Sequence, residues 1–286
     1  MLGEREVASG EALAVFDADD LPIPSRPSRL GRVLRSSVGP LVVLAIVIGV
    51  WYFVSYVALA PSRRFLLPPL QTTVDTAFLQ GASLTQLLSA LGVTAEVAMT
   101  GLAIAMVLGV LIAIAMSELK SLERGLYPYL VLLQTMPILA VVPLIGFWLG
   151  YGFMARTVVC VLIAIFPIIA NTLFGLQSPS TSYVELFNLY HATRFTRLRK
   201  LKLPMALPAM FAGFRISAGL AVIGEIVGGY FFEQGAQDLG SELSDFIDRL
   251  DTPMLFGAII CSAALGVAVF WLFGALSTIV VGRWKE

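Results

Sequence analysis

Apolar residues form six runs, each long enough to cross a lipid bilayer as a helix, which takes about 20 residues. The third run is the least regular, because Pro128, Pro137 and Pro143 lie inside it and proline bends a helix by removing a hydrogen bond. The pattern predicts an all-α membrane protein with six transmembrane helices, the third of them kinked. The six runs cover residues 38–60, 92–116, 126–149, 153–175, 205–231 and 255–281.

Small residues recur at every fourth position in two of these predicted spans. Such stripes let the backbones of two helices approach closely. We therefore expect the second and fifth spans to form the tightly packed core. The stripes are Gly101, Ala105, Gly109, Ala113 and Ser117 in the second span, and Gly213, Ser217 and Ala221 in the fifth.

Residues 180–204, between the fourth and fifth spans, form an amphipathic segment rather than a uniformly polar loop. Ser182-Tyr183-Val184-Glu185 fits a capping box, which marks the start of a helix. Thr193 is a candidate cap for a second helix. Pro204 suits the first turn of the fifth span, where proline is well tolerated. The 180–204 segment is thus predicted to form two short helices joined by a turn at His191-Ala192-Thr193.

The second half of the 180–204 segment carries five Lys and Arg residues, with Phe195, Leu198 and Leu201 among them. This composition suits two different functions. An interfacial helix would bind anionic lipid headgroups through its basic residues. A docking element would bind a cytoplasmic partner through central aromatic and aliphatic anchors inside a charged rim.

Composition agrees with a membrane location, since 58% of the 286 residues are hydrophobic and only 13% are charged, against about 25% in a soluble domain. Of the 19 Lys and Arg residues, 14 lie on one side of a six-span arrangement. By the positive-inside rule this side is cytoplasmic. Both termini and the 180–204 segment are therefore predicted to be cytoplasmic.

The chain is predicted to divide at residue 36. Residues 1–36 are acidic at first and then rich in Pro and Ser, a composition typical of disorder, and form a cytoplasmic tail that is expected to be partly disordered. Residues 37–286 form the transmembrane domain, with the 180–204 segment as one of its loops.

Ionisable side chains inside membrane spans are costly and usually functional. Arg215 and Glu225 fall in the fifth span. The Arg215 side chain is also long enough to reach the membrane interface, and the Glu225 carboxylate also fits a structural role or a hydrated position. Glu96 is near the outer end of the second span, a position that also fits a side chain at the level of the lipid headgroups. We take the candidate residues of a translocation pathway or gate to be Glu96, Gln134, Met136, Asn171, Arg215 and Glu225.

Several catalytic signatures are absent from the sequence. It contains no GxxxxGK[ST] phosphate-binding loop, no HExxH and no GxSxG. Cys160 and Cys261 lie in apolar runs, which is typical of buried free thiols. The single histidine, His191, suits an exposed turn better than a pH switch. We expect no enzymatic activity, no bound cofactor or metal and no nucleic-acid partner.

The 180–204 segment resembles the EAA loop of ABC-importer permeases. Glu185 opens a short helix, a turn follows near the seventh position, and Leu203-Pro204 stand at positions nineteen and twenty. The family's EAA is Glu185-Leu186-Phe187 here, and its turn glycine is His191. Two further stretches, 126–152 and 203–229, resemble the third and fifth spans of nitrate/sulfonate/taurine-type permeases, and the similarity covers roughly residues 90–275.

This resemblance implies a binding-protein-dependent, type I ABC-importer permease in the bacterial inner membrane. Such an assembly has two permeases, two ATPase subunits that bind ATP and Mg, and an external substrate-binding protein. The second permease is another copy of the chain or a paralogue. The implied solute is a sulfonate, a nitrate- or bicarbonate-like anion, or a small aromatic precursor. The residues implied to dock the ATPase are Glu185, Phe187, Tyr190, His191, Thr193, Phe195 and Leu198.

Two other functions fit the residue pattern. An ATP-independent secondary transporter or channel would use Glu96 and Glu225 for ion coupling and the 180–204 segment as a lipid anchor. Helices broken at matching positions of two halves would favour it. A structural membrane scaffold would leave the intramembrane charges and the kinked third span without a role.

Overall fold

The computed structural model describes residues 29–232 and 235–282, with side chains described from Val38 onward. All regular structure in these residues is helical. They fall into two units, one ending at Val50 and the other beginning at Trp51. The helices are α1 (Arg29–Phe53), α2 (Leu70–Val74), α3 (Gly81–Glu118), α4 (Lys120–Thr135), α5 (Ile138–Leu149), α6 (Phe153–Leu176), α7 (Thr181–Leu189), α8 (Arg194–Arg197), α9 (Leu203–Phe231), α10 (Leu239–Asp248) and α11 (Thr252–Gly282).

Short irregular helices extend or join these elements. They are the π-helical stretches Val54–Ala58, Asp75–Leu79 and Leu198–Lys202, and the 3-10 stretch Pro61–Leu66. The predicted boundary at residue 36 falls inside α1. Residues 1–28, which make up most of the predicted tail, lie outside the described residues, as do Arg283 and Lys285 from the charge count.

Five helical stretches are long and apolar enough to cross a membrane, or six if α4 and α5 count as one bent span. The all-α membrane fold is therefore confirmed. The third span is broken and not merely kinked, because α4 and α5 meet at 98°. The cause is Pro137, since a residue before proline avoids helical geometry and Met136 is extended, with φ −62° and ψ 132°.

Helix α6 packs closely against both α3 and α9. A Cβ on Gly109 of α3 would lie 2.7 Å from Cγ2 of Ile168, and a Cβ on Gly213 of α9 would lie 2.9 Å from the carbonyl oxygen of Pro167. Ser217 of α9 donates a hydrogen bond of 2.6 Å to the carbonyl oxygen of Ala164 in α6. Only glycine fits at these two contacts, so the glycines set the spacing of the three helices.

This arrangement corrects the expected core. Helices α3 and α9 do contact each other, but Gly101 and Gly109 of one stripe and Gly213 and Ser217 of the other pack against α6, the fourth span. Sequence periodicity identified the close-packing faces but not their common partner. Cys160 of α6 and Cys261 of α11 are buried and free, as predicted.

Helix α9 sets the distance between the two ends of the second unit. Its 29 residues correspond to about 43 Å at 1.5 Å per residue. The 180–204 segment ends in the first two residues of α9, and α10 follows its last residue. Gly240 allows α10 to pack on α9, because a Cβ there would lie 2.7 Å from the backbone nitrogen of Tyr230.

Candidate functional site

The turn of the 180–204 segment is a helix C-cap built around His191. The N–H of His191 donates to the carbonyl of Asn188, and the N–H of Ala192 donates to the carbonyl of Phe187, both at 2.9 Å. His191 has a φ of 49°, the left-handed conformation that closes this hydrogen-bond pattern and that is usually taken by glycine. The turn predicted at His191 is therefore present.

Both helix starts in the 180–204 segment are defined by the structure. Helix α7 begins at Thr181 after Ser180, whose side chain accepts no capping hydrogen bond, so the predicted capping box at Ser182 was wrong. Thr193 does cap α8, since its Oγ1 accepts from the N–H of Thr196 at 3.2 Å. Arg197 donates to Oδ1 of Asn188 at 2.8 Å and ties the two helices together.

The second short helix is not a separate element. Residues Arg194–Phe231 form one continuous helical stretch, with α8, a π-helical stretch and α9 following without a break. Lys202 in this stretch forms an ion pair with Glu118 at 2.7 Å. The 180–204 segment is therefore continuous with α9.

Large apolar side chains of the 180–204 segment are exposed. Leu189, Tyr190 and Phe195 are 77%, 81% and 69% exposed. Phe187 is half-buried, and Leu198 is also half-buried and packs against the main core. Of the other predicted docking residues, Glu185, His191 and Thr193 are exposed. Leu198 is thus placed to anchor the segment to its own chain.

A cavity of about 560 Å³ lies where the α4–α5 break faces α6 and α9. We call it the amide cavity, because Gln134 and Asn171 contribute carboxamides to a wall that also contains Met136. Asn171 donates from Nδ2 to the carbonyl of Pro167 at 2.8 Å, which leaves its Oδ1 as an acceptor. Among the described residues, the lining contains no charged side chain.

The other three predicted pathway residues lie outside the lining of the amide cavity. Arg215 is half-buried, with its guanidinium stacked 4.0 Å above the ring of Phe270. Glu96 is exposed on α3, and Glu225 is fully buried in α9. The structure therefore brings together Gln134, Met136 and Asn171 and separates them from Glu96, Arg215 and Glu225.

A buried polar cluster lies at the α10 end of the second unit. Arg156 of α6 forms an ion pair with Asp238 and donates to the carbonyls of Phe232 and Ala236 at 2.9 and 3.0 Å. Asp238 also caps α10 through a capping box with Ser241. The guanidinium thus binds the chain that leads into α10.

Two further polar residues complete this cluster. Thr94 of α3 accepts a hydrogen bond of 2.9 Å from the N–H of Leu239, and the buried Glu225 carboxyl lies close to Thr94 and Asp238. Neither Arg156 nor Asp238 was among the site residues predicted from the sequence. The pattern Asp238-Leu-Gly-Ser241, a capping sequence, was the available signal that α10 begins there.

Glu242 of α10 is buried beside α3. Gln86 donates to its Oε2 at 2.6 Å. Burial raises the pKa of the Glu242 carboxyl, and the hydrogen bond from Gln86 offsets part of that rise. The interaction joins α10 to α3. No group of His, Cys, Asp and Glu side chains suited to holding a metal ion occurs in the described part of the chain.

Comparison with known proteins gives a consistent result. The model of the family "Binding-protein-dependent transport system inner membrane component" matches residues 105–282. The chain is 34% identical over 226 residues to the formylaminopyrimidine transport permease protein ThiX of Halalkalibacterium halodurans, covering 78% of this chain and 88% of the relative.

Two further relatives transport other solutes. The riboflavin transport system permease protein RibX of Chloroflexus aurantiacus is 33% identical over 169 residues, 59% of this chain and 62% of the relative. The choline transport system permease protein OpuBD of Bacillus subtilis is 30% identical over 194 residues, 63% of this chain and 80% of the relative.

Asp238→Ala is expected to lower the free energy of unfolding by about 3–5 kcal/mol, because it removes one partner of a buried ion pair. Asp245→Ala is the matched control, since Asp245 pairs with Arg249 at 3.3 Å on the surface and exposed pairs contribute about 0–1 kcal/mol. Thermal unfolding of the two detergent-solubilised variants measures the difference. Equal small shifts in melting temperature would show that the buried pair is dispensable.

His191→Gly is expected to strengthen the turn by about 1 kcal/mol, because glycine adopts positive φ at no steric cost. His191→Val is expected to weaken it by more than that, since a β-branched residue is a genuine outlier at positive φ. Amide hydrogen exchange of residues 186–194 measures both effects. Slower exchange in the Val variant than in the Gly variant contradicts the left-handed assignment.

Proposed function

Because the chain belongs to the family of binding-protein-dependent transport system inner membrane components, we propose that the amide cavity is its part of the solute pathway. The chain is a non-catalytic permease subunit of an ABC importer in the inner membrane. A six-span permease forms half of a pathway, so a second permease, a copy or a paralogue, completes it. The ATP-independent transporter considered from the sequence is set aside by family membership.

The solute that we propose is a small neutral nitrogen heterocycle. The observation that carries this proposal is the lining of the amide cavity: apolar walls, the aromatic ring of Phe166, and the carboxamides of Gln134 and Asn171. Ligand sites of about 300–1,000 Å³ with few polar groups are typical of small-molecule recognition. A sulfonate or nitrate would instead call for a cationic fork such as Arg, and the described lining offers none.

Two relatives favour the same class of solute. The proteins named for formylaminopyrimidine and riboflavin transport are 34% and 33% identical to this chain. Both named compounds contain nitrogen heterocycles, whose ring faces suit apolar and aromatic walls and whose ring nitrogens and carbonyls suit carboxamides. We therefore favour the aromatic precursor over the anions among the solutes that the sequence allows.

The 180–204 segment is proposed to dock onto the ATPase subunit, which binds ATP and Mg. Three observations support this. The segment exposes large apolar side chains, including Tyr190 and Phe195. Its turn is held by backbone hydrogen bonds, so it can transmit force. It continues into α9, whose Ile216 and Ile223 line the amide cavity.

The orientation follows from this docking. The 180–204 segment faces the cytoplasm, in accord with its Lys and Arg residues, and the α10 end faces outward. The extracytoplasmic substrate-binding protein then delivers the solute at the α10 end. Two ATPase copies, one for each permease, close on ATP and shift α9 relative to α4 and α5, which opens the amide cavity to the other side of the membrane.

Ala170→Phe is expected to reduce uptake at least about tenfold while ATPase binding is retained, because Ala170 lines the amide cavity and a benzyl group would fill it. Ala103→Phe is the matched control, since Ala103 is exposed on α3 and lies outside the cavity lining. Uptake of labelled formylaminopyrimidine and of taurine is measured in cells expressing the complete importer. Uptake of taurine but not of the pyrimidine overturns the proposed solute class. Unchanged uptake in Ala170→Phe overturns the pathway.

Phe195→Ala is expected to weaken binding of the ATPase subunit by about 2 kcal/mol or more, because exposed aromatic anchors are typical hot spots. Arg199→Ala is the comparison, since Arg199 is an exposed charge in the same helical stretch and exposed charges contribute about 0–1 kcal/mol. Co-purification of the ATPase with each variant at two salt concentrations measures both. Loss of ATPase with Arg199→Ala alone identifies the segment as a lipid anchor, where each basic residue contributes about 1 kcal/mol.

A further inference from the structure

A second cavity, of about 890 Å³, lies at the junction of α3 and α4. We call it the basic cavity, because three of its lining residues are Lys120, Arg124 and Lys202. The end of α6 and Val184 of α7 also line it. None of its lining residues belongs to the amide cavity, so the solute pathway does not account for it.

Two carboxylates lie at the basic cavity, and one of them, Glu123, is a lining residue. Glu118 pairs with Lys202 at 2.7 Å, and Glu123 accepts a hydrogen bond of 2.9 Å from Gln177. Among the described residues, neither Lys120 nor Arg124 forms an ion pair. The wall of the cavity therefore presents Lys120 and Arg124, neither of them in an ion pair, beside the single carboxylate of Glu123, so positive charge is in excess.

Lys120 and Arg124 also stand at a spacing that makes their charges repel each other when no anion is bound. They are four residues apart in α4, and like charges at this spacing repel on a helix surface. Both line the same cavity. An anion between them removes the repulsion, and Arg is the side chain best suited to bind two oxygens of one phosphate.

The basic cavity lies at the edge of the apolar spans. Helix α3 ends at Glu118 and α4 begins at Lys120, whereas the apolar part of α4 starts near Leu126. Tyr127 lines the cavity, and Tyr127 and Tyr129 are 50% and 69% exposed. Exposed Tyr at the end of a span marks the level of the lipid headgroups.

We propose that the basic cavity binds the phosphate group of an anionic phospholipid through Lys120 and Arg124. The acyl chains of such a lipid reach the bilayer directly from this level. Because Val184 and Lys202 share the cavity wall, the bound headgroup contacts the 180–204 segment as well as α4. Basic pockets between spans are an established way of recognising lipid headgroups.

The test counts lipids bound to the complete importer, purified with its ATPase subunits and analysed by native mass spectrometry. Phosphatidylglycerol and phosphatidylcholine are added in turn. Wild type is expected to retain phosphatidylglycerol selectively, and Lys120→Gln/Arg124→Gln to bind it about 30-fold more weakly, since two basic contacts are lost. Lys120→Arg/Arg124→Lys keeps both charges and is expected to retain the lipid.

Arg199→Gln/Lys200→Gln is the matched control, because both residues are exposed near the same membrane end and neither lines the basic cavity. Its phosphatidylglycerol retention is expected to equal that of wild type. An equal loss in both double variants would mean diffuse surface attraction and overturn the site. If the charge-exchange variant also loses the lipid, the pocket is not defined by charge and the proposal fails.

Two further measurements distinguish a bound phospholipid from other anions. Inorganic phosphate at millimolar concentration is expected not to displace phosphatidylglycerol from wild type. Displacement would identify the cavity as a site for free phosphate. If Lys120→Gln/Arg124→Gln releases the ATPase subunit but binds phosphatidylglycerol like wild type, the cavity receives an acidic side chain of that subunit and the lipid proposal is overturned.

Discussion

The close contact of α6 with α3 and α9 is the constraint on which the rest of the second unit depends. In a bilayer the hydrophobic effect does not drive helices together, so association relies on van der Waals packing and interhelical hydrogen bonds. Gly109 and Gly213 allow that packing because a Cβ at either position would lie within 2.9 Å of α6. With α6 fixed between the two stripes, Asn171 faces the α4–α5 break, and Arg156 reaches the chain before α10.

The sequence predicted the features that depend on local chemistry. Six apolar runs followed from span length, and three prolines marked the third run as irregular without showing that only Pro137 interrupts it. Thr193 was identified as a cap and His191 as the turn, since both follow from side-chain and backbone preferences of one or two residues. The size of the bend, 98°, was not predictable, because proline fixes its own φ and the conformation before it, whereas the angle between α4 and α5 depends on their packing.

Features that depend on tertiary partners were missed. Helical periodicity shows which face of α3 is small but not which helix lies against it, so α6 was overlooked. A polar residue within a span likewise does not show whether its side chain lines a cavity or packs inside the protein. Gln134 and Asn171 line a cavity, whereas Arg215 stacks on Phe270 and Glu225 is buried. Arg156 was not predicted as a site residue although it is only 2% exposed, since hydropathy does not show whether a charge at the start of a helix is buried.

The interruption at Met136 and Pro137 also bears on the thickness of membrane that this side of the protein can match. Helix α4 has 16 residues and α5 has 12, or about 24 and 18 Å, so neither alone reaches across a hydrocarbon core of about 30 Å. The carbonyl of Leu132 accepts from the N–H of Met136, but the break leaves the carbonyls after it without their usual helical partners, and hydrocarbon cannot satisfy such groups. Bilayer lipid therefore cannot seal this face of the chain. Protein or confined water must border it, so this face differs from the apolar faces that lipid can cover.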